Sequence, residues 1–472
     1  MTVLKPDLCV IGAGSGGLSV AAGAVQMGAS VVLVEGGAMG GDCLNSGCVP
    51  SKALLAAGTH AHAMTTGAPF GVAPVSPEID YATAKDHVAS VIAKIAPHDS
   101  VERFEGLGCT VIQGWAEFVD PRTVEVNGQR IAARRFVIAT GSKPAVPPIP
   151  GLADVGYLTN ETIFALKGRP EHLLIIGAGP IGLEMAQAHS RLGSKVTVVE
   201  MATALSGDDP ELAEVVIETL RSEGVRILEN TGVESAAKNA ESQIVLSLNT
   251  GEDIVGDAVL VAAGRKPALD RLNLPTAGVN TGRIGIEVDR GLRTSNRRIY
   301  AIGDATGGMQ FTHVAGYEAG LVIRSALFRM PVKARYDHIP YATYTSPELA
   351  SVGMSEAAAR AEFGDRLEVV TADMSGNDRA VATGATKGMI KVMIVKGRIK
   401  GATIVGAGAG EQICLWALAI SKGMKIGDIA GFVAPYPTLS ELSKRAAGVY
   451  FTPRIFENDR LKAVVRFLAR FG

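Results

Sequence analysis

An α/β protein built around two parallel-sheet nucleotide-binding units is predicted by three features of this chain of 472 residues. A strand, a glycine-rich turn, a helix and a second strand running into a glutamate occur twice at one spacing. The composition, 47% hydrophobic with 56 glycines, suits tight strand-to-helix turns around large cores. Two cysteines, Cys43 and Cys48, follow directly on the first unit. At this length about three domains are expected.

The first unit begins with Leu8-Cys9-Val10-Ile11, turns through Gly12-Ala13-Gly14-Ser15-Gly16-Gly17, passes a small-residue helix and returns as Val31-Val32-Leu33-Val34 to Glu35. The second runs Leu173-Leu174-Ile175-Ile176, Gly177-Ala178-Gly179-Pro180-Ile181-Gly182, then Val196-Thr197-Val198-Val199 to Glu200. In both, the acid lies 23 residues after the first glycine. A lone GxGxxG carries little weight, but the duplicated strand, fingerprint, helix, strand and acid define Rossmann-like units. Gly12 and Gly177 allow the tight turn, Gly14 and Gly179 let a pyrophosphate approach the backbone, and Gly17 and Gly182 bring helix against strand. Glu35 and Glu200 are placed to accept hydrogen bonds from ribose hydroxyls. Glu200 also repels a 2′-phosphate, and Met201-Ala202-Thr203-Ala204-Leu205 offers no arginine to welcome one, which favours NAD over NADP at the second unit.

The cysteines lie in Gly41-Asp42-Cys43-Leu44-Asn45-Ser46-Gly47-Cys48-Val49-Pro50-Ser51-Lys52. On a regular helix, residues five apart have Cα atoms roughly 8.7 Å apart, beyond the ~7 Å that a disulfide tolerates. Bridging them needs a distorted turn, which Gly47 makes cheap. Pro50 suits the first turn of a helix starting near Cys48, and that helix N-terminus favours a thiolate at Cys48. The pair reads as a redox device, with two free thiols or half a zinc site as the alternatives. Zinc usually takes four ligands, and Cys9, Cys109 and Cys414 form no second close pair.

A formal charge of −1 gives no bulk attraction to nucleic acid or to an anionic membrane. Five cysteines in this length do not describe a secreted disulfide scaffold. The uncharged run Leu8 to Val34 could pass for a membrane span, but six glycines break it into strand, turn and helix. A cytoplasmic protein is expected.

Two nucleotide folds with the CxxxxC pair closely resemble the pyridine nucleotide-disulfide oxidoreductases, most of all the dihydrolipoamide dehydrogenases. The resemblance covers essentially the full chain. It extends to Ala139-Thr140-Gly141, Ala263-Gly264-Arg265-Lys266-Pro267, Tyr300-Ala301-Ile302-Gly303-Asp304 and Thr345-Ser346-Pro347-Glu348. It implies an FAD-binding domain over 1–146, an NAD-binding domain over 147–270, a central return to the FAD domain over 271–338, and an α+β dimerisation domain over 339–472. It further implies a homodimer that moves electrons between NAD(H) and a small dithiol, disulfide or lipoyl-protein substrate. Cys48 would be the thiolate against the flavin and Cys43 the interchange thiol. Around FAD the resemblance places Gly12, Gly14, Gly17, Glu35, Gly41, Asp42, Lys52 and Ala116. Thr140, Gly141, Asp304, Gln310, Phe311, Thr312 and His313 complete that set. Around NAD it places Gly177, Gly179, Gly182, Glu184, Glu200, Val233 and Gly264. Lys52 and Glu184 match a pair the family holds near flavin N5.

The departure is C-terminal. Dihydrolipoamide dehydrogenases read His-Pro-Thr-Leu followed two positions later by Glu, the His acting as acid/base across the dimer. Here Pro435-Tyr436-Pro437-Thr438-Leu439-Ser440-Glu441 keeps Glu441 and puts Tyr436 where the imidazole belongs. A phenol near pKa 10 is about 0.1% ionised at neutral pH. Mercuric reductases resemble this Pro-Tyr context but also bear a C-terminal cysteine pair, which Leu461 to Gly472 lacks. In that tail Leu461, Val464, Val465, Leu468 and Phe471 recur at helical spacing with Lys462, Arg466 and Arg470 on another face. A terminal helix covering the dimer is the favoured reading, and a membrane-surface helix is the alternative. His60 and His62, without acidic or cysteine companions, read as surface residues. The alternatives to a disulfide reductase are a mercuric-reductase-like or membrane-associated reductase, and a redox sensor that does not turn over. No metal site is expected.

Overall fold

The structure, a computed structural model, describes residues 3–471, leaving Met1, Thr2 and Gly472 outside the described residues. Two parallel sheets carry the duplicated pattern. The first has the strand order Ile299–Ala301, Arg135–Ile138, Leu8–Ile11, Val31–Glu35, Thr110–Gln113. The second has the order Arg226–Leu228, Lys195–Val199, His172–Ile176, Ala258–Val261. The leading strands are continuous apolar runs because helices and antiparallel layers cover both faces of a parallel sheet. Leu8, Cys9, Val10 and Ile11 are all buried, as are Leu173 to Ile176.

The register is the same in both copies. Ile11 pairs with Val34 and Ile176 with Val199, so Gly12 and Glu35 leave adjacent strands side by side, as do Gly177 and Glu200. Gly12 and Gly177 turn at φ +105° and +108°, a region L side chains rarely adopt. Helices Ser15–Gln26 and Pro180–Arg191 then approach the turn closely. A Cβ on Gly17 would lie 1.8 Å from the Gly12 carbonyl oxygen, and one on Gly182 would lie 2.0 Å from that of Gly177.

Three antiparallel elements complete this half: Glu117–Asp120, Thr123–Val126 and Gln129–Ile131; Val233–Lys238, Ile244–Leu248 and Asp253–Gly256; and a ribbon pairing Ser142–Pro144 with Arg265–Pro267. The ribbon joins the chain leaving the first sheet to the chain leaving the second, with Ser142 opposite Pro267.

The C-terminal part is an antiparallel sheet in the order Pro340–Thr343, Glu348–Gly353, Arg398–Gly406, Met389–Val395, Leu367–Asp373. Helices Ala409–Lys422 and Glu441–Phe456 pack on it around the fully buried Trp416, whose indole N–H donates to Ser443 Oγ at 2.9 Å. Buried Lys391 binds Asp209 at 3.0 Å, Glu211 at 2.8 Å and Glu356 at 3.0 Å, fastening this sheet to the helix Pro210–Ser222. Among the described residues no helix is long and apolar enough to cross a membrane.

Packing at the duplicated turns sets a sign that thermal melts can read. Gly17→Ala forces a methyl into the Gly12 carbonyl and is expected to lower the midpoint, overpacking costing about 1–3 kcal/mol. Gly320→Ala lies in the helix Thr312–Ala326, where an added Cβ meets nothing within 4 Å. It is expected to raise the midpoint through about 0.5–1 kcal/mol of helix propensity.

Candidate active site

Cys43 rides on the short helix Gly41–Asn45, and Cys48 opens the long helix Cys48–Thr65. The chain breaks between them. Ser46 N–H bonds back to the Asp42 carbonyl at 2.8 Å, closing the first helix. Gly47 then passes so near that a Cβ there would sit 2.9 Å from both the Asp42 carbonyl and its Oδ2. The break puts both sulfurs on one side, within hydrogen-bonding reach of each other, and the structure holds them as free thiols. Asn160 braces the turn through Asp42 Oδ1 at 2.8 Å and the Ser46 carbonyl at 3.1 Å.

The two thiols differ because their surroundings differ. Cys48 is pulled down to about 6 by the hydrogen bond from Cys43, then by the Thr312 hydroxyl 3.5 Å away and by the Lys52 charge, against the cost of burial. Cys43 is pushed upward by that same bond, by burial and by the neighbouring Cys48 charge. The pair titrates as a unit, with the first negative charge resting on Cys48.

Lys52, one helical turn beyond Cys48, donates to Glu184 Oε2 at 2.8 Å. Glu184 belongs to the second unit's helix Pro180–Arg191, and Gly58 lets the two helices meet, a Cβ there lying 3.3 Å from the Ala188 carbonyl. The other Glu184 oxygen accepts the Tyr344 backbone N–H at 2.9 Å, and Lys52 Nζ stands 4.4 Å from the Tyr344 ring centroid.

A cleft of about 1180 Å³ runs from the first glycine turn to this ion pair. Gly12, Gly14, Glu35, Ala116, Thr140 and Gly141 line one stretch of it. Asp42, Asp304, Gln310, Phe311, Thr312 and His313 line the middle. Cys43, Cys48, Lys52 and Glu184 line the far end. Gly17 and Gly41 brace the wall: a Cβ on Gly41, at φ +60°, would lie 2.7 Å from Gly14 Cα. Gly177, Gly179, Gly182, Glu200 and Gly264 are not in this cleft. They gather at the carboxyl ends of the second sheet, where Thr231 N–H bonds the Glu200 carbonyl at 2.9 Å and brings Val233 alongside. Tyr436 and Glu441 line neither region. Tyr436 is 72% exposed and donates to Asp378 Oδ2 at 2.9 Å, while Glu441 Oε2 lies 3.4 Å from the Thr438 N–H at the start of its helix.

Both glutamates do more than end a strand. Glu35 accepts Ala13 N–H at 2.5 Å and Gly37 N–H at 2.6 Å, and Glu200 accepts Ala178 N–H at 2.8 Å and Ala202 N–H at 2.9 Å. Each carboxylate thus ties its glycine turn to the loop after its own strand. His313 Nε2 donates to the Pro340 carbonyl at 2.6 Å, and its ring stacks on Phe311 at 5.5 Å.

Sequence reasoning missed Ser142, Arg265, Trp115, Arg271 and Tyr344 in the cleft. Arg265 donates to Ser142 Oγ at 2.8 Å and reaches Asp42 at 3.3 Å, while Ser142 donates to Asp304 at 2.5 Å. Burial pushes the Asp304 carboxyl up, and the Ser142 bond and the Arg265 charge oppose that. Trp115 packs over Gly36, and the Arg271 guanidinium lies 4.2 Å from its ring centroid. Gly114-Trp115-Ala116, an aromatic beside a residue already singled out, was the available signal.

The cleft suits a dinucleotide. Gly14 presents bare backbone to it at the start of the helix Ser15–Gln26, where a phosphate is favoured. Buried Thr140 Oγ1, which lines it, has no hydrogen-bond partner among the described residues. Fold and site together define a class I flavoprotein disulfide oxidoreductase, using FAD and a nicotinamide nucleotide.

The chain belongs to the pyridine nucleotide-disulphide oxidoreductases: that family's model matches residues 6–319, and its dimerisation-domain model matches residues 339–447. It is similar to a mercuric reductase of Staphylococcus aureus, 37% identical over 448 residues covering 93% of this chain and 82% of that protein. It is similar to a dihydrolipoyl dehydrogenase of Geobacillus stearothermophilus, 36% identical over 460 residues covering 94% and 96%. Among solved structures, the HOCl-induced flavoprotein disulfide reductase RclA from Escherichia coli superposes with a TM-score of 0.84 at 28% identity, over 94% of this chain and 99% of that one.

In the reduced enzyme the Cys48 thiolate is expected to persist down to pH about 6 and to be lost below it as the sulfur protonates. Alkylation rate against pH reads this directly. Lys52→Met removes a charge that favours the thiolate, so the midpoint is expected to move upward; an unmoved midpoint would mean Lys52 does not act on the sulfur.

Proposed function

We propose that this protein is an NADH-linked, FAD-dependent disulfide reductase of dihydrolipoyl dehydrogenase type whose thiol substrate is not the ordinary one. The observation that carries this reading is the cysteine pair, split by a helix break so that Cys48 is the thiolate and Cys43 keeps its proton beside it. FAD, when bound, supplies the two-electron link between nicotinamide and sulfur. The chain's own groups do the rest. Cys43 passes its proton across the hydrogen bond to Cys48, and the Cys43 thiolate so formed attacks one sulfur of the substrate disulfide; that S–S bond breaks, and the first thiol leaves with the proton returned from Cys48. Cys48 thiolate then attacks Cys43, the mixed disulfide breaks, and the second thiol leaves with a proton from solvent. The pair has given up two electrons and closed as a disulfide. Lys52 and Glu184 hold the cysteine helix against the second nucleotide unit and keep the Cys48 charge favourable.

Two features set the enzyme apart from ordinary dihydrolipoamide turnover. Asp378 raises the Tyr436 phenol above its usual value, so at neutral pH it is a poorer base than a free tyrosine. Among the described residues the imidazole lining the cleft is that of His313, whose Nε2 donates to the Pro340 carbonyl. A second reading, reduction of a thiophilic metal ion, is favoured by the Pro-Tyr context shared with mercuric reductases and by the 37% identity to one of them. It lacks support from a ligand set: among the described residues no group of three or more His, Cys, Asp or Glu is arranged to hold a metal.

Tyr436→His tests the reading. Dihydrolipoamide turnover is expected to rise, within the ~10²- to 10⁴-fold range of general acid–base catalysis, and to acquire a titration near pH 6.5. A parent already fast with dihydrolipoamide, and unchanged by the substitution, would show the missing base to be irrelevant. Sustained turnover with a small disulfide also separates an enzyme from a sensor reduced once.

The nucleotide preference follows from Glu200, whose carboxylate faces the second glycine turn. The arginines of the adjoining helix and strand are engaged elsewhere, Arg221 with Glu229 at 2.7 Å and Arg226 with Glu252 at 2.8 Å. NADH is expected to exceed NADPH in kcat/KM by about tenfold or more, each 1.4 kcal/mol of repulsion giving a factor of ten. Equal values in steady-state assays would remove Glu200 from the argument.

A further inference from the structure

The C-terminal helix Asp459–Leu468 is a surface nothing in the chain covers. Asn458 caps it through the Leu461 N–H at 3.1 Å, so it is a well-formed element. Leu461, Val464, Val465 and Leu468 are 40%, 51%, 59% and 60% exposed and share an arc of about 100° at 100° per residue. One turn on, Phe471 is 75% exposed and packs its ring on Phe467 at 5.0 Å. The cations flank that stripe: Arg460 on one edge, Lys462 on the other, Arg466 and Arg470 further round. Only Lys462 has a carboxylate nearby, Asp459 at 3.9 Å; Arg460, Arg466 and Arg470 have no acidic partner among the described residues.

We propose that this tail is a docking helix for an anionic lipid surface, lying in the interface with its apolar stripe inward and its cations at headgroup level. The inference goes beyond the disulfide chemistry and is independent of which thiol is reduced. Charge decides the occupant. The chain is close to neutral overall, yet in this helix Arg460, Lys462 and Arg466 face the single acid Asp459, and Arg470 follows just beyond its end. Apolar side chains flanked by unpaired lysine and arginine are what a membrane-surface helix needs: insertion removes the stripe from water, and each basic residue gains from the negative leaflet. A second copy of the same tail would bring arginines against arginines. The family's dimerisation match, moreover, stops at residue 447, before the helix begins. Long basic side chains can extend toward headgroups while their stems cover apolar surface.

Flotation of the flavin-loaded, full-length enzyme with phosphatidylcholine vesicles, with and without about 30% phosphatidylglycerol, tests this. The enzyme is expected to float at least about tenfold more with the anionic vesicles, and less as salt rises. Leu468→Asp, the pair Arg466→Glu with Arg470→Glu, and truncation after Glu457 are each expected to abolish flotation. Size-exclusion elution and NADH-dependent flavin bleaching are expected to stay as in the parent. Equal flotation of the truncated enzyme overturns the proposal. So does an absence of flotation, whether Leu468→Asp shifts the enzyme to a smaller species, which would make the stripe a subunit contact, or the intact tail binds only an acidic protein.

Discussion

A single buried carboxylate, Glu184, holds three parts of the molecule in place. Its side chain is 5% exposed, and an unpaired charge at such a depth is strongly destabilising. It is satisfied by the Lys52 ammonium from the cysteine helix and by the Tyr344 backbone N–H at the entry to the antiparallel sheet. The second nucleotide unit, the cysteine helix and the C-terminal sheet therefore converge on one oxygen pair. The same ammonium also favours the Cys48 thiolate, so packing and sulfur chemistry cannot be altered independently.

The sulfur pair is asymmetric without any difference in residue type. The bond between the sulfurs lowers Cys48 and raises Cys43, burial and the Thr312 hydroxyl act on both, and the Lys52 charge favours the thiolate at Cys48. At neutral pH the charge is thus already located before any substrate arrives. Tyr436, standing where the resemblance led to the expectation of an imidazole, is a phenol engaged with an aspartate.

Features governed by short-range rules were legible in the sequence. The duplicated glycine turns follow from strand-to-helix geometry, and the break at Gly47 follows from the impossibility of bridging residues five apart on a regular helix. Lys52 and Glu184 were legible only through the motifs that contain them, since their 132-residue separation leaves no periodic trace. Arg265, Tyr344 and the Trp115–Arg271 stack escaped for the same reason. Arg265 meets Asp42 only because a two-stranded ribbon carries the exits of both sheets to one place. Tyr436 was legible as a departure, but its bond to Asp378, which makes it a still weaker base, depends on tertiary placement.

The twin carboxylates at Glu35 and Glu200 have a consequence for how the molecule is assembled. Each spans its glycine turn and the adjoining loop through two main-chain amides, so bonds internal to the polypeptide hold both glycine turns. The entropy of ordering these loops is lost during folding rather than on ligation, and preorganisation of that kind favours affinity. Restoring a prosthetic group to stripped protein is then rigid docking into a finished receptor, with no coupled refolding of the crevice.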